Sequence, residues 1–417
     1  MFRKILLSSL RSISKAFETV LITAILSRYV SPETFINFHK IQNLIQIFVG
    51  FGGGFINSTI TISLAPLESN GNKSHSRLRA FNAIAAIFLF FSLFIYLIIW
   101  FFGGVNFFGG SKAQALILFP LTIAVLVFTS TKIAFLISQN RQNITVIASI
   151  VASFISISFC LITAVIELSS LLNFFLLIQG FSFLLIITAV DILKFRRMLF
   201  TGFLFKVDYL IILITKNRSL IVHSVLWAIL YPSFFLTIRY LIERISGINA
   251  AVEWEIYTRL GQSIFLINST IYGLFFVPEF LKISGTLARK SLIFSYFKLA
   301  LVLNGVMILF LVISLDWIFN EIFMHYRSMP FFIGVLYVSA EAIHGICWVF
   351  LITLVVEKRV SAFWKFEGLF RVFTVVGSIF AVSLYGSSAY YLLFFASSLF
   401  LMAAIILNFY RRGELVS

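Results

Sequence analysis

Charge is what this sequence has little of. Only 12% of its 417 residues are Asp, Glu, Lys or Arg, while 60% are hydrophobic and the mean hydropathy is +1.04. A soluble domain of this length carries about twice that charged fraction and needs it to cover its surface, so a soluble globular class is excluded. Cysteine is nearly absent: Cys160 and Cys347 each lie in an apolar run and imply neither a disulfide framework nor a metal site. No zinc spacing, nucleophile elbow or dinucleotide fingerprint occurs, so nothing points to catalysis, a metal or a cofactor. Gly50-Phe51-Gly52-Gly53-Gly54 has the look of a phosphate loop, but no strand precedes it and no Lys-Ser/Thr follows. Close helix packing or a bend is its expected use. Met1-Phe2-Arg3-Lys4 has the charge of a signal-peptide start, yet Arg11, Lys15 and Glu18 interrupt what would be its apolar core, so the first helix is expected to stay.

What is present is length in apolar runs. Stretches of about 20 apolar residues recur along the whole chain, each long enough to cross a hydrocarbon layer of roughly 30 Å. An all-α polytopic membrane protein follows, because a barrel would show short alternating strands instead. About twelve spans are expected. The first half holds 9–30, 37–64, 80–102, 113–136, 144–166 and 171–193; the second holds 219–242, 254–278, 291–315, 331–356, 362–384 and 389–409. The chain thus divides into an N-terminal six-helix lobe (1–193), a basic connection (194–218) expected to lie on the inner leaflet, and a C-terminal six-helix lobe (219–417). With the N-terminus inside, about nineteen Lys and Arg fall in cytoplasmic segments and about four outside, which puts both termini in the cytoplasm. That asymmetry absorbs much of the net charge of +16, so nucleic-acid binding is not needed to explain it.

The informative residues are the charges left inside spans: Arg11, Lys15, Lys40, Lys132, Arg239, Arg259, Lys298, Lys365 and Arg371. At roughly 2.5–3.5 kcal/mol each, nine lipid-facing charges would cost more than about 20 kcal/mol, beyond a typical stability of about 5–15 kcal/mol. They must snorkel, pair or face water. Lys40, Lys132, Arg239 and Lys365 are near enough to span ends to reach headgroups, and Arg239 has Glu243 at i+4. Arg11, Lys15 and Glu18 share one face of the first helix and are expected to border either a hydrophilic cavity or another helix. Glu341 lies near the middle of its span with His344 one turn on, and Glu367 precedes Arg371 by four residues. A carboxylate at that depth is a candidate for exchanging an ion, although Glu367 is equally placed simply to neutralise Arg371. The candidates for a cationic substrate cavity are therefore Arg11, Lys15, Lys40, Arg239, Arg259 and Lys298. Those for coupling are Glu18, Glu341, His344, Glu367 and Arg371.

Ile25-Leu26-Ser27-Arg28-Tyr29-Val30-Ser31-Pro32-Glu33-Thr34-Phe35, then Gly50 through Ala65, then Tyr257 through Pro278 with Arg259-Leu260 near its start, occur in an order and spacing similar to one family. The chain resembles the bacterial polysaccharide flippases (Wzx-type) of the multidrug, oligosaccharidyl-lipid and polysaccharide exporter superfamily. It departs at Ile36-Asn37, where relatives usually place a glycine. The resemblance implies two lobes in a V around a cationic lumen, in the bacterial inner membrane, turning an undecaprenyl-diphosphate-linked oligosaccharide to the periplasmic leaflet by alternating access. A proton or sodium gradient would drive it, with membrane lipids and a glycan polymerase as neighbours. It assigns no functional residue. A diphosphate would need the positive charges above, and its sugars hydroxyl and amide partners such as Gln42, Asn43, Gln46, Gln262 and Asn268. Three rivals remain. A drug/cation antiporter of the same superfamily would want an acidic cavity, whereas the intramembrane charges lean basic. A membrane polymerase or ligase of glycan assembly would need a sizeable outer loop, and none over about 15 residues is expected. A lipid-linked peptidoglycan-precursor flippase typically has fourteen spans.

Overall fold

The computed structural model describes residues 2–50, 86–87, 89–98, 101, 117–138, 142–166, 172, 174–194, 207–323 and 331–411. The described helices, in chain order, are α1 (Phe2–Tyr29), α2 (Pro32–Val49), α3 (Leu89–Ile98), α4 (Phe119–Ser138), α5 (Gln142–Val165), α6 (Phe175–Lys194), α7 (Val207–Ser246), α8 (Ile248–Ile271), α9 (Val277–Lys282), α10 (Thr286–Trp317), α11 (Phe331–Val356), α12 (Val360–Phe363), α13 (Leu369–Tyr385) and α14 (Ser388–Arg411). Short π-helical turns at Tyr272–Phe276, Ile318–Ile322 and Trp364–Gly368 join or extend them. The all-α, roughly twelve-span expectation is met, and six of these helices are long and apolar enough to cross a membrane. α7 departs from the expected boundaries. It begins at Val207, so the end of the 194–218 connection is helix continuous with the seventh span. Tyr209-Leu210-Ile211-Ile212-Leu213-Ile214 is an apolar run with no breaker before the span. Residues 51–54 of the glycine run, and basic residues such as Lys73, Arg77, Arg79, Arg141, Arg196 and Arg197 that enter the expected orientation, lie outside the described residues.

Two compact units emerge: Met1–Ile36 with Phe234–Ser417, and Asn37–Ser233. This grouping places α1 with the C-terminal elements, whereas the sequence division counts it in the N-terminal lobe. In the second unit α6 packs against α4 and α5 over Leu136, Ala148, Ala152, Phe183 and Ile187. Gly50 there meets Ala228 so closely that an added Cβ would lie 2.6 Å from the alanine's own, which bears out close packing at that glycine.

In the first unit α11 is central. It is flanked by α8, α10 and α14, and 78% of its apolar stretch is buried, against 17% for α10. α8 is enclosed as well: every residue from Ala251 to Gly261 is buried. A helix buried all round has no solvent face for its polar residues, so Glu253, Glu255 and Arg259 of α8 must find partners inside. Large apolar side chains such as Ile313, Phe373, Phe380 and Phe400 point outward instead, as lipid as a solvent allows. Hydroxyls along the helices are satisfied locally: Thr353, Thr374 and Ser398 each donate to the carbonyl four residues back. Two glycines make the tight reversals. Gly247 (φ 88°, ψ 171°) between α7 and α8 and Gly386 (φ 77°, ψ −175°) between α13 and α14 sit in a backbone region that is essentially glycine's alone.

Candidate functional site

The reversal at Gly247 sets up the first cluster. Arg239 and Glu255 stand equally far from it along α7 and α8, so folding back brings them level. Arg239 donates to Glu255 Oε2 from Nε at 2.8 Å and also from Nη2. Glu255 Oε1 accepts from Arg259 Nε at 2.7 Å, one turn along α8. All three side chains are buried, and Arg259 reaches on to Gln262 Oε1 at 3.3 Å. The Arg239 guanidinium also lies over the Trp254 ring, 5.7 Å from its centroid. One carboxylate thus holds two guanidiniums, and Glu243, one turn along α7 from Arg239, is a second acid that interacts with it.

The second cluster is built around α11. Glu341 packs on Gly261 of α8, where an added Cβ would come within 2.6 Å of its Cγ. Its Oε1 accepts from the Tyr337 hydroxyl at 3.0 Å, and Thr258 Oγ1 lies 3.3 Å from the same hydroxyl. One turn further, His344 Nε2 faces both oxygens of Glu367, at 3.1 and 3.0 Å. Glu367 Oε1 also accepts from Arg371 Nε at 2.8 Å. Glu367 belongs to the π-helical turn Trp364–Gly368, a departure from regular helix that is frequent at functional sites. The Arg371 guanidinium rests on Phe234, 4.6 Å from its ring centroid, and on Phe370. Glu341 interacts electrostatically with His344, Arg371 and Glu367, so the four form one buried group.

Every coupling candidate except Glu18 meets in this second group. Glu18 instead accepts from Lys15 Nζ at 2.6 Å on α1, a buried acid paired with a half-buried base. The Arg11 side chain lies outside the described residues. Of the cationic candidates, Arg239 and Arg259 meet at Glu255. Lys40 is half-buried on α2, and Lys298 is exposed on α10, where its ammonium sits 4.4 Å from the Phe294 ring centroid. Arg239 is not a snorkelling residue: it is fully buried, and Glu255 rather than a headgroup holds its charge. Asn268 is likewise engaged. It exchanges amide hydrogen bonds with Asn304 of α10 at 2.8 and 3.0 Å, and Gly345 of α11 packs against it.

Sequence reasoning placed His344 one turn on from Glu341 but missed Tyr337 in the same helix, although i−4 spacing was the available signal. It also missed Glu253, because α8 starts six residues earlier than the expected span at 254, and it passed over Glu255 just inside that span. Counting them changes the charge balance. Among the described residues the buried acids are Glu18, Glu253, Glu255, Glu341 and Glu367, against Arg239, Arg259 and Arg371. The basic lean expected of the intramembrane charges is therefore reversed for the buried ones. No group of three or more His, Cys, Asp or Glu is placed to hold a metal ion among the described residues.

No family model and no curated protein matches the sequence. Solved structures do match. A mutant of the Vibrio cholerae MATE transporter VcmN superposes with a TM-score of 0.72 at 11% identity, over 99% of this chain and 96% of that one. A MOP superfamily transporter from Pyrococcus furiosus gives 0.67 at 9% identity, over 100% and 96%. An outward-facing multidrug resistance MATE family transporter gives 0.65 at 11%, over 98% and 95%. With its buried polar core and apolar exterior, this chain has the fold of the multi-pass MATE transporters of the MOP superfamily.

Proposed function

We propose that the chain is an ion-coupled secondary transporter of the inner membrane, working by alternating access, with Glu341, His344, Glu367 and Arg371 as its coupling centre. One observation carries the reading: a buried carboxylate, Glu341, is held beside an imidazole and an acid–arginine pair in a fold whose solved examples are transporters. Burying ions costs several kcal/mol each. A core with only a packing role does better with apolar side chains, whereas a site that takes up and releases an ion needs the charges. The work is carriage across the membrane rather than covalent chemistry.

For the substrate, a drug or organic-cation antiporter is the reading the neighbours favour, since they are MATE transporters and one is a multidrug resistance protein. The five buried acids against three buried arginines agree with it. The flippase of a lipid-linked oligosaccharide is the second reading. It draws on the resemblance of the sequence and on the pair of guanidiniums gathered at Glu255, those of Arg239 and Arg259, a group suited to a diphosphate. The Pyrococcus neighbour is itself described as having a binding pocket of reverse polarity that suggests a different function.

Proteoliposomes of the purified chain separate the two. One set receives ethidium, the other a fluorescent prenyl-diphosphate oligosaccharide. Ethidium uptake without glycolipid flipping supports the antiporter, and flipping without ethidium uptake supports the flippase. Movement of neither under any imposed ion gradient overturns the transport reading.

A further inference from the structure

His344 is held in a way that an imidazole with only a packing role does not require. Its ring is sandwiched between Phe265 of α8 (centroids 5.2 Å apart, 10° between planes) and Phe370 of α13 (5.4 Å, 21°). Two aromatic faces present negative charge density to whatever lies between them, and they favour a cation there. Nε2 points at both oxygens of Glu367. An ionised carboxylate only accepts hydrogen bonds, so Nε2 carries the hydrogen and Nδ1 of the neutral ring bears the lone pair. Nδ1 is buried and has no hydrogen-bond partner among the described residues.

The charges around it count to one proton. On its own helix His344 is joined by Glu341 and, one turn on, Cys347; the π turn brings Glu367 and α13 brings Arg371. Helix α14 brings Tyr390, which interacts with Glu341 and Arg371, and α10 brings the neutral Asn304 beside Gly345. With both carboxylates ionised and Arg371 charged, the group holds one negative charge in excess. A single proton on the imidazole brings it to neutrality. Sodium takes oxygen ligands, whereas the buried lone pair without a hydrogen-bond partner here is on a nitrogen, Nδ1, which takes a proton.

We propose that the coupling ion is a single proton and that it is taken up at His344 Nδ1, with Glu341 and the Glu367–Arg371 pair as its fixed counter-charges. The step is a proton transfer alone: a hydronium ion gives its proton to the Nδ1 lone pair, its O–H bond breaks as the N–H bond forms, and neutral imidazole becomes imidazolium with a water molecule left behind. The inference rests on the coupling-centre reading above, which treats this group as the ion site but leaves the ion open.

The test has two arms. The first is nitrogen NMR of the full chain labelled at its five histidines, with the His344→Gln variant identifying the resonance. As pH falls from about 8 to about 5, the Nδ1 signal of His344 should move from the unprotonated to the protonated position. A signal that stays put across that range overturns the proposal, whether or not the protein transports anything. The second arm loads proteoliposomes with ethidium or the fluorescent prenyl-diphosphate oligosaccharide under an imposed pH or sodium gradient. Accumulation should follow the pH gradient alone, be lost in His344→Gln and persist in His223→Gln, a buried histidine elsewhere in the chain. Accumulation driven by sodium alone, or kept by His344→Gln, also overturns it. If the unmodified chain moves neither probe, the transport reading fails, and the first arm still decides the proton site.

Discussion

Replacing Glu255 by glutamine would leave Arg239 and Arg259 buried together without the carboxylate that separates them. Their charges already oppose one another across it. Removing one partner of a buried ion pair costs about 3–5 kcal/mol, because the remaining charge is left unsolvated. We expect Glu255→Gln to lower stability by that order, measured by equilibrium unfolding of the purified chain in detergent; a loss below about 1 kcal/mol, the range of an ordinary substitution, would contradict the trio as drawn. At this scale the sequence was half legible. Glu341 with His344 and Glu367 with Arg371 stand three and four residues apart, a spacing that makes them neighbours on any helix. Arg239 and Glu255 are sixteen residues apart, and only a turn of known geometry makes them meet. Asn304 gave no signal at all, because its partner Asn268 is on another helix and the contact exists only in the packed structure.

The elements that matter most are hairpins. α7 and α8 are joined through Gly247, and the register of that reversal decides which side chains of the two helices face each other. Its backbone sits where other residues are strained by about 1–3 kcal/mol, and no atom lies within 4 Å of an added Cβ, so the penalty of a substitution there is conformational rather than steric. Gly247→Ala should therefore lower stability by about 1–3 kcal/mol in the same unfolding measurement, while Gly305→Ala, an open position inside α10, should raise it by about 0.5–1 kcal/mol. Equal effects at the two positions would show that the α7–α8 turn is not held as described. Span positions were readable because apolar length dominates the pattern: 331–356 coincides with α11. Span starts were less so where charges enter a helix, as at α8, because a window weighted by hydropathy excludes Glu253 until the enclosing helices are known.

At the scale of the whole molecule, composition alone leads to an all-helical membrane protein, and the solved neighbours share its fold over nearly their full lengths. The division into units was not readable in the same way. α1 belongs by contact with the C-terminal elements through its packing on α8, a tertiary preference that no local pattern announces. Function sits in between: polar residues inside spans mark where to look, but only the fold shows that the acids are paired, and with what. We propose that the group around Glu341 couples an ion gradient to transport. The most direct measurement is uphill accumulation of a fluorescent probe by proteoliposomes under an imposed pH gradient, comparing the unmodified chain with Glu341→Gln. The unmodified chain should accumulate the probe, and in Glu341→Gln accumulation should collapse to the level of protein-free vesicles. Accumulation by Glu341→Gln equal to that of the unmodified chain would contradict it.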